Sequence, residues 1–212
     1  MIAIVDYKAG NLTSVERAVR HLGHDARVTD HAEEILNAER IIFPGVGAAG
    51  QAMADLQNLG LDAVLRQAFA AGKPILGICL GTQIIFASSE EDNNTQCLGL
   101  LPGVVKKFPD PLYENGQRLK IPHMGWNQVA FVKQHPVFAG LNPEHEFYFV
   151  HSYYPEVDKG AEDIVAGTTH YGLTFASAVA KDNLVAVQFH PEKSGEGGLR
   201  ILENFCKWSP EC

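Results

Sequence analysis

Short, uncharged apolar runs that alternate with amphipathic stretches constrain this chain more than any other feature. Ile2 to Val5, Ile41-Ile42-Phe43 and Ile75 to Cys79 have the length and composition of strands buried on both faces, which is the character of a parallel sheet. Between the first two, Leu12, Val15, Val19 and Leu22 form one helical stripe, with Asn11 placed to cap its start and Gly23 to end it. Pro44-Gly45 stops the second run. Helical spacing returns from about Ala49 to Leu59 and from Leu61 to Ala71, where Gly72 closes the segment. The rhythm predicts an α/β fold, doubly wound, with helices on both faces of a mostly parallel sheet.

After about residue 98 the texture changes. Val104-Val105, Asn127 to Val132, Phe147 to His151, Ile164 to Gly167, Phe175 to Ala180 and Leu184 to Phe189 read as strands separated by turn residues. Leu199, Leu202, Phe205 and Cys206 fit a last helix. No Ser/Gly linker, repeat or low-complexity tract interrupts the chain, so one domain over 1–212 with an antiparallel extension is expected.

The formal net charge is −8 over 212 residues, and only Lys106-Lys107 pairs basic residues, which disfavours a nucleic-acid or anionic-membrane face. The N-terminus has no basic leader, and no apolar run approaches the roughly 18 residues of a membrane span. A soluble cytoplasmic protein is expected. The 4 cysteines are too sparse for a disulfide scaffold, and none pair as Cys-x-x-Cys.

Chemistry concentrates in two segments. GICLGTQ, Gly77 to Gln83, follows a buried strand and precedes a helical stretch. Gly-x-Cys-x-Gly has the shape of a nucleophile elbow, in which flanking glycines make room for a sharp, strained turn. Cys79 would stand at a helix N-terminus that favours a thiolate, and the Leu80 N–H would serve as an oxyanion donor. The plain alternative is a buried structural cysteine. In QFHPEKS, Gln188 to Ser194, His190 ends a strand, where sites of open α/β sheets lie. Strand alternation would place Glu192 on the same face, to orient the imidazole. Cys79, His190 and Glu192 thus give nucleophile, base and orienter. A surface histidine beside a solvated glutamate is the alternative.

Together the two segments resemble the class I glutamine amidotransferases, in order and over nearly the whole chain. That resemblance implies a flavodoxin-like fold and a Cys–His–Glu glutaminase needing no metal or organic cofactor. It also implies that PGVGAAG, Pro44 to Gly50, faces the nucleophile and supplies the second oxyanion N–H from Val46 or Gly47. The same segment contains Gly45-x-Gly47-x-x-Gly50, a dinucleotide fingerprint, but the acidic residue expected about 20 residues on should follow a second strand, and that region is instead the helical stretch LDAVLRQAF with Asp62 at its start.

DYKAGNL (Asp6 to Leu12), KIPHMGWN (Lys120 to Asn127) and FYFVHSYY (Phe147 to Tyr154) narrow the resemblance to the glutaminase subunits of imidazole glycerol phosphate synthases. It implies that Met124 and Trp126 face a cyclase partner, a (β/α)8 barrel, in a heterodimer. Asn11, Tyr148 and Lys193 would stand at the mouth of an ammonia passage, and Gln83, His151, Ser152 and Tyr153 around bound glutamine. Read on its own, the His-Met-Gly-Trp string shows no strand alternation and is a candidate binding patch; a satellite core around Trp126 is the alternative. A thiol hydrolase or peptidase without a synthase partner is the rival function. His21-x-x-His24-Asp25, with Asp30-His31, reads as solvated polar surface rather than a metal site.

Overall fold

A computed structural model describes residues 1–210; Cys212 lies outside them. The elements follow the chain as β1 (Ile2–Val5), α1 (Leu12–His21), β2 (Ala26–Thr29), α2 (Ala32–Asn37), β3 (Arg40–Gly45), α3 (Ala49–Asn58), α4 (Leu61–Ala70), β4 (Ile75–Cys79) and α5 (Leu80–Ile84). There follow β5 (Ser88–Ser89), α6 (Glu91–Asn94), β6 (Thr95–Gln96), β7 (Gly103–Lys107), β8 (Leu112–Glu114), β9 (Gln117–Leu119), β10 (His123–Gln128) and β11 (Ala130–Phe131). The last are β12 (Glu146–His151), β13 (Tyr153–Val157), β14 (Val165–Tyr171), β15 (Leu173–Lys181), β16 (Leu184–Val187) and α7 (Gly195–Lys207).

Eight strands form the main sheet in the order β11-β14-β15-β16-β4-β3-β1-β2. The five from β16 to β2 are parallel, and β15, β14 and β11 extend them antiparallel. Alternation explains the layers. Ala3, Val5, Ile41 and Phe43 point into one apolar cluster with residues of α2, α3, α4 and α5, while Ile2, Ile4 and Ile42 point into the other with Val15 and Val19 of α1 and Ile201, Leu202 and Phe205 of α7. The α/β architecture with a mostly parallel sheet is therefore as expected from the apolar runs.

Three local expectations fail for identifiable reasons. Pro44-Gly45 does not stop β3: its pairing with β4 continues to Gly45 opposite Cys79. The predicted strand over Asn127–Val132 is divided. β10 pairs with β12 in a separate two-stranded sheet, Val129 is buried at the break, and β11 joins the edge of the main sheet. Asn11 does not cap α1 with its side chain. It adopts φ 73° and makes no capping bond, because its amide is used elsewhere. A four-stranded sheet, β13-β7-β5-β6, completes the extension beside α5.

Candidate active site

The parallel pairing brings the carboxyl ends of β3 and β4 side by side, where open α/β sheets present their sites. Cys79 ends β4 with φ 53° and ψ −107°, a backbone conformation rare for any side chain but glycine, so the chain makes the sharp turn expected of an elbow. Gly81 allows it: a Cβ there would lie 1.8 Å from the Phe43 carbonyl oxygen. Cys79 and Leu80 are almost fully buried, 5% and 3% exposed, and Leu80 begins α5. Beyond β3, Val46 and Gly47 line the same cleft as Cys79, with Gly47 at φ 119°.

His190 follows the end of β16, the strand on the other side of β4. Its Nδ1 lies 2.8 Å from Glu192 Oε1, and the two side chains are 1% and 0% exposed. Alternation is not what joins them. Pro191 starts a 3₁₀ turn, Pro191–Lys193, and that turn carries Glu192 back to the imidazole. Burial pushes His190 down, but its interactions with Cys79 and Glu192 outweigh burial and hold it up at about 9. Its Nε2 and the second carboxylate oxygen of Glu192 are buried without hydrogen-bond partners. Asn11 Nδ2 donates to Glu192 Oε1 at 2.6 Å, so the residue expected as a helix cap holds the Glu192 carboxylate instead.

The cleft in front of Cys79 has a volume of about 410 Å³, ample for a free amino acid. Gln83, His151, Ser152 and Tyr153 all line it, as do Glu91 and Pro122. Both amide protons of Gln83 are committed, to the Tyr153 carbonyl at 2.9 Å and Gln188 Oε1 at 3.1 Å, which leaves its Oε1 as a hydrogen-bond acceptor. The His151 ring is not free to bind a ligand: its nitrogens face the Tyr153 carbonyl at 2.7 Å and His123 Nδ1 at 3.0 Å.

Glu91 escaped the sequence reading. It belongs to a left-handed turn in which Asp92, Asn93 and Asn94 have φ of 51°, 62° and 67°. That turn aims Glu91 Oε2 at the Ala49 N–H, 2.7 Å away, and Asp92 Oδ2 at the Gly50 N–H, 3.0 Å away. Burial raises the Glu91 carboxyl, with the Ala49 N–H opposing. The same contacts fill the N-terminus of α3 with carboxylates, the place a pyrophosphate would need behind the Gly45-x-Gly47-x-x-Gly50 turn. Gln188, fully buried with Nε2 3.9 Å from Cys79 Sγ, was inside a quoted motif but unassigned.

The remaining expected residues gather on one surface. The string from His123 to Gln128 does alternate: it is strand β10, with Met124 62% and Trp126 55% exposed, so Trp126 is not the centre of a satellite core. Trp126 pairs with Tyr148 of β12 at 6.1 Å between rings, and Lys193 Nζ stands 5.9 Å over the Tyr148 ring. The Tyr148 carbonyl accepts from the His190 N–H at 2.9 Å, so this surface adjoins the His–Glu pair. His24 instead meets Glu203, and no group of three metal-ligating side chains occurs among the described residues. No helix among them is long and apolar enough to cross a membrane.

The family model of class I glutamine amidotransferases matches residues 3–208. The chain is 50% identical over 98% of its length to "Imidazole glycerol phosphate synthase subunit HisH" of Desulfovibrio desulfuricans, covering 94% of that protein. It is 50% identical over its full length to the protein of the same description from Nitratidesulfovibrio vulgaris, covering 98% of it, and 46% identical over 98% to that of Pseudomonas syringae, covering 97%. Among solved structures, PurLQS from Thermotoga maritima superposes with a TM-score of 0.74 at 17% identity over 97% of both chains. A crystal structure described as glutamine amidotransferase gives 0.70 at 18% identity over 97% of this chain and 100% of that one.

Proposed function

The chain belongs to the class I glutamine amidotransferase family, and from that premise we propose that it is the glutaminase subunit of an imidazole glycerol phosphate synthase, acting in histidine biosynthesis. The observation that carries this reading is the match of 46–50% identity, over nearly the whole of both chains, to subunits of that synthase. The rival, a thiol peptidase without a partner, gives no account of an exposed Met124–Trp126 face beside the His–Glu pair.

Glutamine enters the cleft with its α-ammonium toward Glu91 and Gln83 Oε1, and its side-chain amide toward Cys79. The Cys79 thiol proton passes to His190 Nε2, or is already held there in an ion pair with the thiolate, and the sulfur attacks the amide carbon. The Leu80 N–H, with an N–H from Val46 or Gly47, receives the negative charge that develops on oxygen; one such donor is worth roughly 3–4 kcal/mol. The intermediate collapses as the His190 imidazolium gives its proton to the leaving nitrogen. Ammonia departs and a γ-glutamyl thioester remains. His190 then takes a proton from water, whose oxygen attacks the thioester, and the second intermediate expels the Cys79 thiolate and releases glutamate. Glu192, held by Asn11, keeps the His190 proton on Nδ1 so that Nε2 faces the sulfur.

Ammonia passes on to a cyclase subunit, a (β/α)8 barrel seated over Met124, Trp126, Tyr148, Lys193 and Asn11. There it yields imidazole glycerol phosphate and an aminoimidazole carboxamide ribonucleotide. The two subunits form a heterodimer in the cytoplasm. Co-expression with the cyclase subunit tests the reading. A co-purifying pair that makes imidazole glycerol phosphate from glutamine is expected, and peptide cleavage without glutamine turnover would overturn it.

A further inference from the structure

A run of hydrogen bonds leads from β10 to the sulfur of Cys79, and the steps above do not use its outer half. Asn127 Nδ2 lies 3.2 Å from His123 Nε2, and His123 Nδ1 lies 3.0 Å from His151 Nε2. His151 Nδ1 is 2.7 Å from the Tyr153 carbonyl, which also accepts from Gln83 Nε2 at 2.9 Å. Gln83 reaches Gln188 at 3.1 Å, and Gln188 reaches Cys79 Sγ at 3.9 Å.

The acceptors dictate where the protons sit. A carbonyl only accepts, so His151 carries its proton on Nδ1. In the neutral ring Nε2 is then an acceptor, so His123 must donate from Nδ1 and accept from Asn127 at Nε2. Burial keeps both rings neutral, pushing His123 down to about 4 and His151 down to about 3, where the carbonyl contact opposes and His123 and His190 add to the fall. The His123 ring is fixed by stacking, 4.8 Å from Phe149 and 4.1 Å from Tyr171, at interplanar angles of 24° and 23°.

Without the His123 donor, His151 Nε2 is a buried acceptor with no partner. The ring then loses one of its two polar anchors and is freer to turn away from the Tyr153 carbonyl, the anchor that remains. That carbonyl is one of two anchors of the Gln83 amide.

We propose that His123 is a positioning residue for the glutamine cleft: by donating to His151 it locks in place the ring that holds the Tyr153 carbonyl and, through it, Gln83. The proposal rests on the glutaminase reading and deepens it. It places on one strand both the exposed Met124–Trp126 face and the outer end of the run that orders the cleft.

His123→Phe keeps the stacking and deletes the donor, whereas His123→Asn restores an N–H donor at the δ position. Glutamine hydrolysis is measured for wild type and both variants in the complex with the cyclase subunit, alongside the rate of Cys79 alkylation by iodoacetamide. His123→Phe is expected to raise KM for glutamine about tenfold, to lower kcat less than about threefold and to leave alkylation unchanged. His123→Asn is expected to return KM to within about threefold of wild type. A wild-type KM in His123→Phe, or equal losses in the two variants, would overturn the proposal while an active wild type leaves the glutaminase reading standing. A wild type inactive on glutamine would overturn both. Should His123→Phe not fold, ¹⁵N histidine spectra of the wild type decide: protons on Nδ1 of both His123 and His151 support the lock, and a proton on Nε2 of His151 overturns it.

Discussion

Strands β1, β3, β4 and β16 are buried at nearly every position, whereas β12 buries every second residue, β10 only His123 and β13 only Pro155. The first group lies between two helical layers, so both faces meet apolar side chains. The second group has one face inward and one toward the cleft or solvent. The difference divides the labour at the site. Strands that cannot shift without disturbing two cores end in Cys79, in the Val46–Gly47 turn and in the segment leading to His190. Half-buried strands carry the cleft wall at His151–Tyr153 and the exposed Met124 and Trp126. In the proposed glutaminase, chemistry sits on the rigid half, and recognition sits on the half with faces to spare.

The sharpest way to break this division is to remove the sulfur. Cys79→Ala should lower glutamine-dependent synthesis by at least about 10⁴-fold, since nothing else in the cleft replaces a nucleophile. Ammonia-dependent synthesis by the complex should persist, because the cyclase performs that step. Loss of both activities in a folded complex would mean that the two halves are not separable. Next in size is the carboxylate behind the imidazole. Glu192→Gln should cost about 100-fold in kcat and Asn11→Ala about tenfold, each with little change in KM, since neither residue lines the cleft. An Asn11→Ala effect confined to assembly with the cyclase would instead make Asn11 a docking residue alone.

The same contrast explains what the sequence could disclose. Ile2–Val5, Ile41–Phe43 and Ile75–Cys79 were readable because burial on both faces leaves no choice but apolar residues. The Gly77-Cys79-Gly81 spacing was readable because Gly81 must pass against the Phe43 carbonyl. Residues of the other half carry mixed signals. Met124 and Trp126 put apolar side chains on the exposed face of β10, which inverts the usual code and hides the alternation. β2, with Arg27 exposed, and α2, only six residues long, were too short or too polar to stand out. The turn holding Glu91 depends on three consecutive left-handed residues that composition does not announce. Asn11 looked like a cap because an asparagine before a helix usually is one. Its partner lies 181 residues away, a distance no local pattern can span.

Trp126 tests the recognition half. Trp126→Ala should weaken association with the cyclase subunit by about 2 kcal/mol, the scale of an aromatic anchor at an interface, as read by titration calorimetry. Its effect on the unfolding midpoint of the free subunit should be small, because the side chain is 55% exposed. A large drop in that midpoint with unchanged affinity would move Trp126 from the interface to the core.

The smallest effect separates the two halves by pH. His123 and His151, on β10 and β12, are held by burial at about 4 and about 3, below the roughly 6.5 of an unfolded histidine. As pH falls through 6.5 the unfolded chain binds protons first, so their contribution to stability is complete above about 6.5 and declines toward 4. His190 behaves oppositely. Burial lowers it, but Cys79 and Glu192 raise it to about 9, so its contribution is complete below about 6.5 and declines as pH rises through 9. Acid therefore loosens the recognition half and alkali the catalytic half. Urea midpoints measured at about pH 7 and pH 5 should fall for the wild type and fall less for His123→Phe, which has one fewer buried imidazole to protonate. The limiting slope for one group is about 1.4 kcal/mol per pH unit, and solvent screening keeps His123 below it. Carboxylates also titrate toward the lower pH, but they are common to both proteins and cancel in the difference. On the alkaline side, between about pH 7 and pH 9, Cys79→Ala should flatten the decline, because the alanine removes the Cys79 contact that, with Glu192, holds the imidazole charged. Identical acid slopes for wild type and His123→Phe would show that His123 is protonated as readily in the folded chain as in the unfolded one, and the buried environment assigned to His123 would then be wrong.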